Sequence, residues 1–153
     1  MTFTASLLQR LDRRRPAPVA SAHCDGPCGV YDPASARVAA EAVLSMTKKL
    51  GDIDMTSAGA HNTYIRYVAI KEEQAELVKH ELMVLWADYF KPPHLEEYPD
   101  LHDTFWKAIK QASACKQAVD VEACNTLLSM IEGIHNIFWA TKGREVPWTL
   151  ANP

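Results

Sequence analysis

The sequence predicts an all-α protein, an antiparallel four-helix bundle preceded by an N-terminal hook. Apolar residues recur at intervals of three and four through four segments, and proline or glycine punctuates those segments with mostly short connections between them. No stretch alternates apolar and polar residues for long enough to argue for a sheet, and there is no internal repeat. With 153 residues, 48% hydrophobic and 23% charged, the chain has the size and composition of one domain with a core that needs no disulfide support.

Asp32-Pro33 is a helix-start signal, an N-cap aspartate with proline in the first turn, and a first helix is expected to run to Leu50, where Gly51 stops it. Its apolar stripe is read as Val38, Ala42 and Ser45 or Met46. Asp52 to Ala60 is polar and contains glycine, so it reads as a loop. A second, long helix is expected over Asn62 to Phe90, with Ile65, Val68, Ala75, Leu82, Leu85, Trp86 and Tyr89 on one face, ended by Lys91-Pro92-Pro93. The third begins near Tyr98-Pro99 and carries Leu101, Phe105, Ala108 and Ala112. The fourth covers Val121 to Thr141 with Leu127, Leu128, Ile131, Ile134 and Phe138, and Gly143 follows as a stop. Residues 143–153 lack a helical period, and docking of this tail through Trp148 is not expected.

Met1 to Ala22 has a composition of its own. It holds four arginines against one aspartate, a net of +3, which leaves −6 of the overall −3 to His23–Pro153. Once this leader is gone no basic patch remains to neutralise phosphates, so nucleic acid is excluded as a partner. Only Leu7-Leu8 stands where a secretory signal has a longer apolar stretch, and the segment reads as a propeptide removed in the cytoplasm by a leader peptidase. Ala20-Ser21-Ala22 resembles a small-residue cleavage site, and Pro16-Ala17-Pro18 keeps the approach to it extended. No apolar run approaches the about 20 residues of a membrane helix. The organisation expected is therefore a removed propeptide at 1–22, a hook at 23–31, a helical bundle over about 32–142 and a tail.

Cleavage after Ala22 would give His23 a free amine next to an imidazole, with Cys24 and Cys28 close behind. The amine and the Cys24 amide nitrogen close one five-membered chelate ring on a metal, and that amide with the Cys24 thiolate closes a second. Cys28 completes an N2S2 plane, a geometry suited to Ni(II) or Cu(II), and the His23 imidazole can approach along the axis. On spacing alone, a fragment of a zinc site and an inert thiol loop remain open, although a closed zinc site wants four protein side chains and no second finger-like pair is present. Cys115 and Cys124, far downstream in helical surroundings, read as buried or partly buried structural thiols.

His23-Cys24-Asp25-Gly26-Pro27-Cys28-Gly29-Val30-Tyr31 resembles the hook of the nickel-containing superoxide dismutase family, which follows a removed leader. The likeness continues through Asp32-Pro33-Ala34, Val84 to His94, Tyr98-Pro99 and Ile137-Phe138-Trp139. It implies a cytoplasmic homohexamer of four-helix bundles, one nickel ion per chain, that disproportionates superoxide to oxygen and hydrogen peroxide by Ni(III)/Ni(II) cycling. Carried over by position, His23, Cys24 and Cys28 are the metal ligands, and Asp25 and Tyr31 line the approach. Tyr89 and Lys91 belong to a segment packed near the hook. Of the other histidines, His61, His80, His102 and His135 are expected to be structural or superficial, and His94 is the exception because it lies in the matched segment.

The sequence departs from that family at Gly26, where leucine is usual, and at Ala39 and Gln74, where a glutamate and its partner arginine stand behind the axial imidazole. Such partners orient a ligand and tune its metal, so both changes bear on the His23 bond. Glu41 is not expected to substitute, since two residues along a helix turn it about 200° from Ala39. The alternative function is a nickel-binding or metal-buffering protein with weak turnover.

Overall fold

The computed structural model describes residues 29–151, and every described element is helical. Four long helices, α1 (Ala34–Gly51), α2 (Ala58–Val84), α4 (Leu101–Gln117) and α5 (Val121–Thr141), form the bundle, with the short α3 (Pro92–Glu97) in the α2–α4 connection. Helix α1 packs on α2 and α5, and α4 packs on the same two, so each long helix has two neighbours around a common core. This bears out the predicted helical bundle.

Local chemistry sets the helix ends. The Asp32 carboxylate accepts from the Ala34 amide at 2.8 Å, and the Pro33 carbonyl receives the Arg37 amide at 3.1 Å. Lys48 and Lys49 lie in the last turn of α1, where cations suit the helix dipole. The Ser57 hydroxyl accepts from the Ala60 amide at 3.1 Å, so α2 starts four residues before the predicted Asn62 and takes in the end of the expected loop. Asp120 caps α5 through the Ala123 amide. Gly143 takes φ +63°, and its amide and that of Arg144 turn back to the Ala140 and Trp139 carbonyls.

Helix α5 has its predicted limits, and its five predicted apolar residues are all buried. In α4 the four predicted positions are also buried, joined by Cys115. The stripe predicted for α1 is displaced. Val38 is 53% exposed, and the buried face is Ala36, Ala39, Ala40, Val43, Thr47 and Leu50. Alanines on this face let neighbouring helices come close, whereas the larger valine lies toward solvent. Of the residues predicted for the second helix, Ile65 and Trp86 are exposed, while Ala75, Leu82 and Leu85 are buried as predicted.

The predicted end of α2 is altered by a π-helical turn over Leu85–Tyr89, closed by the Phe90 amide donating to the Leu85 carbonyl at 3.2 Å. The wider turn breaks the 3.6-residue register. As a result Leu85 and Phe90 both enter the core and Tyr89 is half-buried. Pro92, at the start of α3, needs no amide partner there.

Lys71 is 2% exposed, and its ammonium donates to the carbonyls of Cys115, Lys116 and Ala118 at 2.7, 2.8 and 2.8 Å. Three donors meet three carbonyls at the end of α4, where the helix itself supplies no partners. The tail docks, contrary to expectation. Val146, Trp148 and Leu150 pack on the core, the His135 imidazole donates to the Val146 carbonyl at 2.8 Å, and the Ala151 amide donates to Glu41 Oε2 at 2.7 Å. Long-range polar contacts hold this segment, and helical periodicity carries no trace of them.

Candidate metal centre

The predicted ligands His23, Cys24 and Cys28, together with Asp25, Gly26 and the cleavage site, lie outside the described residues. The chain is first described at Gly29, whose φ of +67° is the left-handed conformation glycine adopts without strain. No neighbour lies within 4 Å of a Cβ built there, so glycine is required by the turn and not by crowding. Val30 is 76% exposed, and Tyr31 then packs its ring on the bundle. Residues 29–31 thus lie at the α1 N-terminus, beside the end of α2.

Tyr31 lies 5.6 Å from Tyr89, centroid to centroid, with the rings tilted by 55°. Tyr89 is itself held on several sides: His94 stacks on it at 5.6 Å, Phe138 lies at 4.5 Å, and the Lys142 ammonium sits 5.3 Å from the ring centroid. Thr141 Oγ1 donates to the Phe138 carbonyl, so its one proton is used and the Tyr89 hydroxyl donates to Thr141 across 2.7 Å. His94 Nδ1 accepts from the Lys91 amide at 3.0 Å, which fixes the stacked ring. The structure therefore brings Tyr31, Tyr89 and His94 into one aromatic wall. Lys91 is exposed at the foot of α3.

A cleft of about 180 Å³ opens beside Tyr31, lined by Val30, Asp32, Ser35, Glu81, Val84 and Leu85. Ser35 and Glu81 were not singled out by sequence reasoning. The available signal for Glu81 was its position four residues before the core residue Leu85, on the same face of α2.

Ala39 is 1% exposed, on the buried face of α1, and Gln74 is partly buried on α2. Glu41 is engaged elsewhere: one oxygen pairs with Arg37 and the other accepts from Ala151. The Arg37 guanidinium in turn lies 6.0 Å from the Trp148 ring centroid. Glu41 anchors the tail, in agreement with the expectation that it does not replace a residue at position 39. Of the remaining histidines, His61 bonds the Ser57 carbonyl and His102 accepts from the Trp86 indole, both at helix surfaces.

Among the described residues, no group of three or more His, Cys, Asp or Glu side chains could hold a metal ion. The described residues define the class as an all-α helical bundle, and the donors expected from the sequence lie in the residues before it. A sequence model of the family described as nickel-containing superoxide dismutase matches residues 18–142, and the chain belongs to that family. It is 49% identical over 122 residues to the nickel superoxide dismutase of Streptomyces seoulensis, covering 80% of this chain and 89% of the relative. It is 46% identical over 127 residues to that of Streptomyces coelicolor, covering 83% and 93%. A crystal structure of a nickel-containing superoxide dismutase with its nickel ligation in the oxidised state superposes with a TM-score of 0.72 at 47% identity, over 80% of this chain and all of that one. A native nickel superoxide dismutase structure gives 0.71 at 45% identity, over 78% and 99%.

Proposed function

We propose that this chain, freed of residues 1–22, is a nickel-dependent superoxide dismutase that converts superoxide to oxygen and hydrogen peroxide. Membership of the family carries this reading. The donor set fits the metal: an amine and an amide nitrogen with two thiolates are donors that suit Ni(II), and thiolates disfavour hard cations. The amine and imidazole of His23, the amide and thiolate of Cys24 and the thiolate of Cys28 would hold one ion per chain. When bound, nickel would supply the one-electron Ni(III)/Ni(II) couple that superoxide disproportionation requires.

The chain's own residues shape access. Tyr31, braced by Tyr89, forms a wall at the root of the hook and would restrict the approach to small species, sparing the thiolates from larger oxidants. Its hydroxyl and Asp25 are the candidates for positioning the protons that peroxide formation consumes. The propeptide must be removed first, because within the precursor the His23 nitrogen is an amide and cannot act as an amine ligand.

A homohexamer is the proposed assembly, and the exposed Trp106 and Ile65, at 61% and 68%, are apolar surface that contacts between copies would cover. No helix among the described residues is long and apolar enough to cross a membrane. The leader, with only Leu7-Leu8 where a secretory signal has a longer apolar stretch, supports maturation in the cytoplasm. Superoxide decay measured with the cleaved, nickel-loaded chain tests the function. Catalysed decay is expected, and nickel binding without it would leave metal buffering as the role.

A further inference from the structure

The last turn of α4 and the first turn of α5 each place a cysteine in the core, joined by the short link Ala118–Asp120. Cys115 is 0% and Cys124 1% exposed, and both are free thiols. The two thiols lie near enough in the core for each to shift the other's ionisation, and Thr47 Oγ1 lies 3.4 Å from Cys124 Sγ. Lys71 places its ammonium against the Cys115 carbonyl at 2.7 Å, beside the pair.

We propose that Cys115 and Cys124 are a peroxide-oxidisable dithiol whose disulfide ties the end of α4 to the start of α5. Polarity within the pair assigns the roles. Hydrogen bonding to Cys124, then burial, pushes the Cys115 thiol up, so it stays protonated. Hydrogen bonds from Cys115 and Thr47, with the nearby Lys71 charge, pull the Cys124 thiol down against the opposing effect of burial. Cys124 is the nucleophile and Cys115 the resolving thiol.

The Cys124 thiolate attacks one oxygen of hydrogen peroxide. An S–O bond forms, the O–O bond breaks, and the departing hydroxide takes up a proton to become water. Cys115 sulfur then attacks Cys124 sulfur, the S–S bond forms, and the S–O bond breaks with loss of hydroxide, which leaves as water with the Cys115 proton. Two thiols lose two electrons and two protons, and one peroxide becomes two waters. The peroxide rests on the dismutase reading, since it is that reaction's product. Entry is through opening of the helix ends at the exposed Gln117–Asp120 segment, so oxidation is slower than for a surface thiol.

The full-length protein is treated with excess hydrogen peroxide and analysed by non-reducing peptide mapping and thermal unfolding, with oxidation of Cys24 and Cys28 followed in the same map as the check that the peroxide reacted. A Cys115–Cys124 linked peptide, 2 Da lighter than the reduced pair, is expected. It should raise Tm by roughly 4–8 °C, reverse with dithiothreitol, and be absent from Cys115→Ala. A Cys24→Ser/Cys28→Ser variant should still form the link, which separates this pair from exchange with the hook. Full reactivity of Cys115 and Cys124 toward alkylation after unfolding, with no link once the hook thiols are oxidised, overturns the proposal. Because peroxide is added directly, that result is independent of dismutase turnover. A superoxide source supplied to the cleaved, nickel-loaded chain, in place of added peroxide, tests the turnover separately.

Discussion

Tyr31 and Tyr89 face each other with ring centroids 5.6 Å apart, one at the root of the hook and the other in the π-helical turn that ends α2. The extra residue of that turn sets the side chain of Tyr89 between Phe138 and His94, where its hydroxyl reaches Thr141. The wall beside the hook thus depends on a backbone irregularity some 55 residues away in sequence from Tyr31.

Tyr89→Leu removes the ring against which Tyr31 rests. An aromatic pair is worth about 1 kcal/mol beyond its buried area, so turnover of superoxide is expected to fall severalfold while nickel content stays at the wild-type level. Equal rates for the two proteins would separate Tyr31 placement from activity. Tyr89→Phe keeps the ring and loses only the bond to Thr141, and is expected to cost about 1 kcal/mol of stability with little change in rate.

Glu41→Ala frees the tail from α1 by removing acceptors for both Arg37 and Ala151. A stability loss of about 1–2 kcal/mol in urea is expected, with an unchanged Ni(III) spectrum. An altered spectrum would instead place Glu41 behind the axial imidazole.

Lys71→Met keeps most of the side-chain volume and strands three carbonyls at the end of α4. Denaturant unfolding is expected to show a loss of about 2–4 kcal/mol, in the range for hydrogen bonds from a charged donor after partial rehydration of this helix end. A loss below about 0.5 kcal/mol would mean that water replaces the ammonium without cost.

Legibility followed the range of the interactions. Helices α4 and α5 could be read because Leu101, Phe105, Leu127, Ile131 and Phe138 are large, apolar and regularly spaced. The buried face of α1 is mostly alanine, which marks a close helix contact as readily as a neutral surface, so Val38 drew the stripe to the wrong side. Lys71 reads as solvated in any local window, and only the fold brings it to the end of a helix 44 residues away. The hook was legible for the opposite reason: all its donor atoms fall within nine consecutive residues, so the chemistry needs no tertiary contact to be recognised.

Ala39→Glu alone places a carboxylate where the native side chain is 1% exposed, and is expected to destabilise the fold by several kcal/mol. Adding Gln74→Arg supplies a partner charge and should recover part of that loss. The double variant is expected to shift the Ni(III) signal or the superoxide rate relative to the wild type. Identical spectra and rates would show that positions 39 and 74 do not tune the His23 bond in this chain.

The central claim is that cleavage after Ala22 creates the metal site. Intact mass combined with metal analysis, on protein purified from its native cell, tests it most directly. A chain beginning at His23 and carrying one nickel ion is expected, with an uncleaved precursor that lacks tight binding. One nickel per chain on a mature protein that begins at any other residue would contradict it.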